Sequence, residues 1–321
     1  MSDLLEDYSL REKKIQRKGS IQKIGLIGCG TMGQEIVRII SQAGMEVTFI
    51  DVSKERINEI FKSIEEQLDA VINRWGLTKS EKKSILSRIK GSTHYKDISD
   101  CDIIIETIHS RKLGTSLTIR QEIFKEVEKY VSKDTVITSN VSTLMISDLA
   151  SVLEHPERAV GLHFIYPATK TKLVEVAKGF KTSNEAFEFV IKFARLLGKS
   201  VIKVTESPGN ISTRLIVTLI NEACETLMEG VGSVECIDET MKRGFGMQYG
   251  PFELADQIGL DKLLKWMNNL YEEFGEHKFK PSPILKRLVR ANYNGANSGR
   301  GFYIYENGFA KGLSVEASEI K

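Results

Sequence analysis

The stretch that most limits what this chain can fold into is KIGLIGCGTMG, residues 23 to 33. It opens as an apolar run too short for a helix and is cut off by glycines, so it reads as a strand that ends in a tight turn. Gly28, Gly30 and Gly33 stand in the GxGxxG spacing, and a helical pattern continues from Gln34 to Ala43. A tight turn and the close approach of a pyrophosphate leave no room for Cβ atoms, while the next helix N-terminus offers N–H groups and a positive dipole end. A second strand, EVTFID, ends in Asp51, where units of this kind carry an acid. A carboxylate there hydrogen-bonds the adenosine ribose and repels a 2′-phosphate, favouring NAD over NADP. The complete series of strand, turn, helix, strand and acid specifies a dinucleotide-binding α/β unit more strongly than a glycine turn with a chance aspartate.

A second constraint is AVGLHFIYPATKTKLVEVAKG, residues 159 to 179, two short strands around a Pro-containing turn. Paired as an antiparallel hairpin centred near Thr169, they put His163 opposite Glu175, with Cβ atoms roughly 4.5 to 5.5 Å apart. A carboxylate at that separation fixes the imidazole tautomer and favours the protonated ring, which makes the pair a general base. A core histidine beside a strand-end glutamate is the bland alternative.

The 321 residues leave room for two cores. A net charge of +2, with no basic run interleaved with aromatics, gives no reason to expect nucleic acid. No apolar run reaches the roughly 20 residues that span a bilayer. Residues 1 to 22 mix both signs of charge, unlike a signal or transit peptide, and read as a flexible or loosely docked tail. Cys29, Cys101, Cys224 and Cys236 have no CxxC spacing, so they read as buried small hydrophobes in a reducing cytoplasm, with neither a disulfide framework nor a metal site.

Along the chain, helical patterns at residues 54 to 75 and near Lys79 to Ile89 carry lysines that suit either a phosphate-rich substrate or solvent. The strand CDIIIETI follows, ending near Glu106, and His109 to Thr118 is irregular. A helix from Ile119 to Tyr130 and the strand TVIT lead to SNVSTL. Its Ser139, Asn140 and Ser142 lie at the carboxyl end of a strand, where ligands bind in open α/β sheets; a helix N-cap at Ser142 or Thr143 is the alternative. Helix Asn184 to Leu197 and strand VIKV close the α/β part, and Pro208-Gly209 marks a boundary. Beyond it Ile211, Leu215, Leu219, Ala223 and Leu227 recur every four residues as an apolar stripe suited to packing on another domain or subunit. Helices Val234 to Arg243 and Phe252 to Phe274 precede GRGFYIY, and the tail after Asn307 reads as polar and mobile.

The motifs IGCGTMG, SNVSTL, GLHFIYP with KLVEV, ESPGNISTRL, GFGMQYGPFELAD and SGRGFYIY, spread from about Lys23 to Tyr305, resemble the L-3-hydroxyacyl-CoA dehydrogenase family. The resemblance implies a Rossmann-like NAD-binding domain, residues 23 to 207, followed by an all-helical substrate and dimerisation domain, residues 208 to 321. It implies His163 as catalytic base, Glu175 as its partner and Ser142 as a hydrogen-bonding residue at substrate and nicotinamide. The implied cofactor site comprises Gly28, Gly30, Thr31, Met32, Gly33, Asp51, Glu106, Arg120, Ser142 and Tyr166. The chain departs from the family where GFIVNR becomes GNISTR, which puts Thr213 in place of the active-site Asn and Asn210 in place of an aromatic. Tyr166 stands for another Asn, near the cofactor. The changes at Thr213 and Asn210 make the pocket more polar near the acyl group and point to a small polar 3-hydroxyacyl thioester, such as glyceryl or seryl on an acyl carrier protein. An ordinary 3-hydroxybutyryl-CoA dehydrogenase and a non-catalytic, crystallin-like structural protein are the alternatives, and a dehydrogenase of free acids would need Arg214 as a carboxylate clamp. The family expectation is a cytoplasmic homodimer.

Overall fold

The computed structural model describes residues 21–74, 76–108, 116–306 and 309–314. Strands β1 (Lys23–Ile27), β2 (Glu46–Ile50), β3 (Ile89–Ser92), β4 (Ile103–Glu106), β5 (Val136–Ser139), β6 (Ala159–Phe164), β7 (Leu173–Lys178) and β8 (Ser200–Thr205) form one sheet, ordered β3-β2-β1-β4-β5-β6-β7-β8. Helices α1 (Thr31–Gln42), α2 (Lys54–Ile72), α3 (Lys79–Ser87), α4 (Ser116–Glu128), α5 (Ile146–Ala150) and α6 (Asn184–Leu196) lie between them in sequence. Strands β1 to β6 pair in parallel. Both faces of the sheet are covered: Ile103 and Ile105 of β4 join one apolar cluster and Ile104 the other, as the two-residue strand period requires. The strand order reverses between β1 and β4, so their carboxyl ends form the crevice in which such sheets bind ligands.

β6 and β7 pair antiparallel, with His163 in register with Glu175. Val160, Leu162, Phe164, Val174 and Val176 all join one core cluster, which leaves His163 and Glu175 on the opposite face of the sheet.

The second part is helical: α7 (Ser212–Met228), α8 (Val234–Glu239), α9 (Pro251–Ile258), α10 (Leu260–Phe274) and α11 (Pro283–Arg290). They enclose a core around Val217, Ile220, Phe252, Leu263 and Phe279. Among the described residues no helix is long and apolar enough to cross a membrane.

Several expectations are corrected. The single helix expected over Phe252 to Phe274 is broken at Gly259, whose φ of +99° no helix accommodates. The helix from Val234 ends at Glu239 and continues as a π-helical turn, Thr240–Gly244. The α7 stripe is not one face: Ile211 and Leu215 are exposed, whereas Ala223 and Leu227 are buried. Each step of four residues overshoots a full turn by about 40°, so a strict four-residue repeat winds round the helix. The buried face runs through Val217, Ile220, Cys224 and Leu227, at steps of three and four. Cys236 is exposed, although the other three cysteines are buried. Strand β3 and helix α11 were not anticipated, and Phe309–Leu313, expected as polar tail, forms β10 against β9 (Tyr303–Glu306). Residues 1–20 of the expected N-terminal tail and 109–115 of the irregular segment lie outside the described residues; Ile21 is already buried in the core.

Candidate active site

The glycine turn sits at the carboxyl end of β1. Gly28 has φ of +81°, and a Cβ there would lie 2.8 Å from Ile108 Cγ2. At Gly33 it would meet the Gly28 carbonyl oxygen at 2.7 Å. Around Gly30 the Cβ position is open, with nothing within 4 Å, and the α1 N-terminus that begins there has no side-chain cap. Its first N–H groups are therefore available to an anion. Thr31 opens α1 on the exposed side, and Met32 packs partly against the core. Asp51 is fixed onto the turn, accepting from the Cys29 N–H at 2.9 Å and the Val52 N–H at 2.8 Å. An open cradle, unspent helix N–H groups and a carboxylate at the end of β2 fit a dinucleotide with a free ribose hydroxyl.

Glu106 and Arg120, both expected at the cofactor, are buried and ion-paired with each other. Glu106 also accepts from the Ser139 hydroxyl and the Ile108 N–H, each at 2.6 Å, and Arg120 donates to the Ile108 carbonyl at 2.7 Å. Together they brace the ends of β4 and β5.

At the hairpin, His163 Nδ1 lies 2.9 Å from Glu175 Oε2. The carboxylate is 2 % exposed. Oε2 also accepts from the Ser212 hydroxyl at 2.8 Å, while Oε1 accepts the N–H groups of Ser212 at 2.8 Å and Ile211 at 3.2 Å. Burial pushes the Glu175 carboxyl up, but the hydrogen bonds from His163 and Ser212 outweigh it and hold the group below the usual carboxylate range. An ionised carboxylate can only accept, so Nδ1 carries the ring proton and Nε2 remains as the basic nitrogen.

Ser142 is buried on the loop after β5, its carbonyl accepting the Gly209 N–H at 2.7 Å. The N-cap of α5 is Met145, so neither Ser142 nor Thr143 caps that helix. The Ser142 hydroxyl makes no hydrogen bond among the described residues and is free for a ligand. Thr143 instead accepts from Asn269 of α10 at 2.9 Å, and Asn140 accepts the Phe164 N–H at 2.8 Å, tying this loop to the strand that carries His163.

Residues 23–207 match the family model for the NAD binding domain of 3-hydroxyacyl-CoA dehydrogenase, and residues 209–305 match that for its C-terminal domain. The chain belongs to the 3-hydroxyacyl-CoA dehydrogenase family. Like the family, it is an NAD-dependent oxidoreductase. It is 37% identical over 286 residues to a probable 3-hydroxybutyryl-CoA dehydrogenase of Bacillus subtilis, covering 89% of this chain and 98% of that one. It is 36% identical to the 3-hydroxybutyryl-CoA dehydrogenase of Clostridioides difficile, over 88% of this chain and 99% of the relative. Among solved structures, (S)-3-hydroxybutyryl-CoA dehydrogenase PaaH1 of Ralstonia eutropha superposes with a TM-score of 0.81 at 37% identity, covering 90% of this chain and 100% of that one. FadB2 of M. tuberculosis gives a TM-score of 0.85 at 31% identity, covering 89% and 100%.

The departures from the 3-hydroxyacyl-CoA dehydrogenase motifs have distinct physical settings. Thr213 is buried on α7 and its hydroxyl makes no hydrogen bond among the described residues. Asn210 has φ of +45°, a conformation asparagine tolerates better than an aromatic, so backbone geometry accounts for that replacement without an appeal to pocket polarity. Tyr166 precedes Pro167 through a cis peptide, and its ring lies 5.6 Å from Lys262 Nζ. Lys262 also sits 4.8 Å over Trp266 and forms no hydrogen bond or ion pair among the described residues; burial pushes its ammonium down to about 8. Arg214, the residue a free-acid dehydrogenase would need as a carboxylate clamp, is half-buried at the start of α7, with its guanidinium 4.4 Å over Phe274 and one Nη donating to the Ser207 hydroxyl at 3.4 Å. Ser212, Lys262 and Asn269 went unnoticed in the sequence, because nothing in a helical pattern tells which side chains meet the neighbouring domain.

Proposed function

We propose that the chain oxidises the C3 hydroxyl of a small 3-hydroxyacyl thioester to the 3-oxo thioester, with His163 as general base and Glu175 behind it. The observation that carries this reading is the 2.9 Å contact of His163 Nδ1 with a carboxylate kept ionised in a buried setting. NAD, when bound in the cradle of Gly28, Gly30, Gly33 and Asp51, supplies the hydride acceptor. Nε2 of His163 takes the hydroxyl proton as C3 is oxidised, and Glu175 stabilises the imidazolium that forms. In reduction the imidazolium returns that proton to the new alkoxide. Ser142, whose hydroxyl has no partner of its own, orients the substrate oxygen and the nicotinamide.

The names of the relatives support 3-hydroxybutyryl-CoA as substrate. A second reading, a polar glyceryl or seryl group on an acyl carrier protein, is favoured by Thr213, a buried residue whose hydroxyl makes no hydrogen bond among the described residues, where the family motif has Asn. Exposed Leu215 on α7, with exposed Ile211 just before the helix, supports a homodimer through the helical domain. The test is NADH formation by the purified protein with 3-hydroxybutyryl-CoA and with glyceryl and seryl thioesters on a phosphopantetheine-bearing carrier protein. Preference for the coenzyme A thioester supports the first reading and preference for the carrier-bound ones the second. No turnover of any of them overturns both.

A further inference from the structure

On the reading of His163 as base, we infer that Ser212 is a positioning residue of the dyad. Its hydroxyl holds the Glu175 oxygen that faces His163 and weakens the pull of that carboxylate on the ring proton. The two donors share one atom: Oε2 lies 2.9 Å from His163 Nδ1 and 2.8 Å from Ser212 Oγ. Oε1 is held by the backbone N–H groups of Ile211 and Ser212, which any residue there could supply. The hydroxyl is what this side chain adds, at a position where the motif GFIVNR carries valine.

A donor to an anionic oxygen takes up part of its charge. With Ser212 in place, Glu175 stabilises the imidazolium less than it would alone. Among the described residues, Glu175 is the one ion-pair partner of His163, and the other charged groups near the two strands are engaged elsewhere. Glu106, on β4, is closed on Arg120 of α4. Glu206, between β8 and α7, is taken up by Ser147 and by the Phe180 N–H. Arg214, further along α7, lies over Phe274.

Ser212→Thr keeps the hydroxyl, and Ser212→Val has nearly the same shape without it. The measurement is the pH dependence of kcat/KM for oxidation in both variants, with thermal melts to establish folding. The acid limb of the threonine variant is expected to overlay that of the native protein. That of the valine variant is expected to move to higher pH by about half a unit to one unit, with KM for NAD unchanged. Superimposed valine and threonine profiles, or a shift to lower pH, would overturn the inference. Ser212→Ala, which removes the hydroxyl without adding a methyl group, gives the same comparison if the valine variant does not fold. Full activity in His163→Ala would instead remove the reading of the base on which the inference rests.

Discussion

At the scale of single residues, the proposed site depends on carboxylates held in place by their hydrogen-bond donors. Asp51 keeps its position through two backbone N–H groups, which sets its carboxylate beside the glycine turn. Replacing Asp51 by Ser is expected to lower the ratio of kcat/KM for NAD to that for NADP on the order of tenfold or more, as steady-state kinetics with both cofactors would reveal. An unchanged ratio would mean that the acid does not select the cofactor. Glu175 gives a second expectation. Its folded-state pKa lies below the ordinary 4.5, so its contribution to stability is present above that pH and is lost as pH falls through the folded value. The melting temperature of the native protein is therefore expected to fall more steeply below about pH 4.5 than that of Glu175→Gln; equal slopes would contradict the assignment. The contact of Asp51 with the glycine turn and the pairing of His163 with Glu175 were legible in the sequence because each is set by a short-range spacing. Ser212 and Lys262 were not, since their partners lie on elements far away in the chain.

At the scale of elements, the hairpin was readable down to its register, because a two-residue period and a centre near Thr169 leave one pairing that puts His163 and Glu175 on the same face. Strand β3 escaped notice because IKGS has a single buried apolar side chain, Ile89, and pairs along one edge. The stripe on α7 was misjudged because apolar residues four apart drift round a helix of 3.6 residues per turn. The GRGFYIY segment acquires a physical reason only in the fold. Asp256 of α9 accepts the N–H groups of Phe302 and Tyr303, each at 2.9 Å, and a Cβ on Gly301 would stand 1.9 Å from its Oδ1. Gly301→Ala is thus expected to destabilise the protein by about 2–4 kcal/mol, through overpacking and strained buried hydrogen bonds, measured by urea unfolding. A change below about 0.5 kcal/mol, typical of surface substitutions, would show that the contact relaxes freely.

At the scale of the whole molecule, the proposed site is completed where the sheet and the helical part meet. The first domain supplies His163, Glu175 and Ser142, and the helical domain answers with the start of α7 on Glu175, the Gly209 N–H on the Ser142 carbonyl and Asn269 on Thr143. The division near Pro208-Gly209 could be read from the change from alternating strands and helices to helices alone. The docking could not, because it depends on side chains that face each other only after both cores have formed. The account stands on His163 as the proton acceptor, so the most direct test is kcat/KM of His163→Ala for NAD-dependent oxidation of the preferred thioester. Folding should be checked by circular dichroism and cofactor binding by NADH fluorescence. The account predicts a loss on the order of 10²–10⁴-fold with fold and NADH binding retained. Activity close to that of the native protein would contradict it.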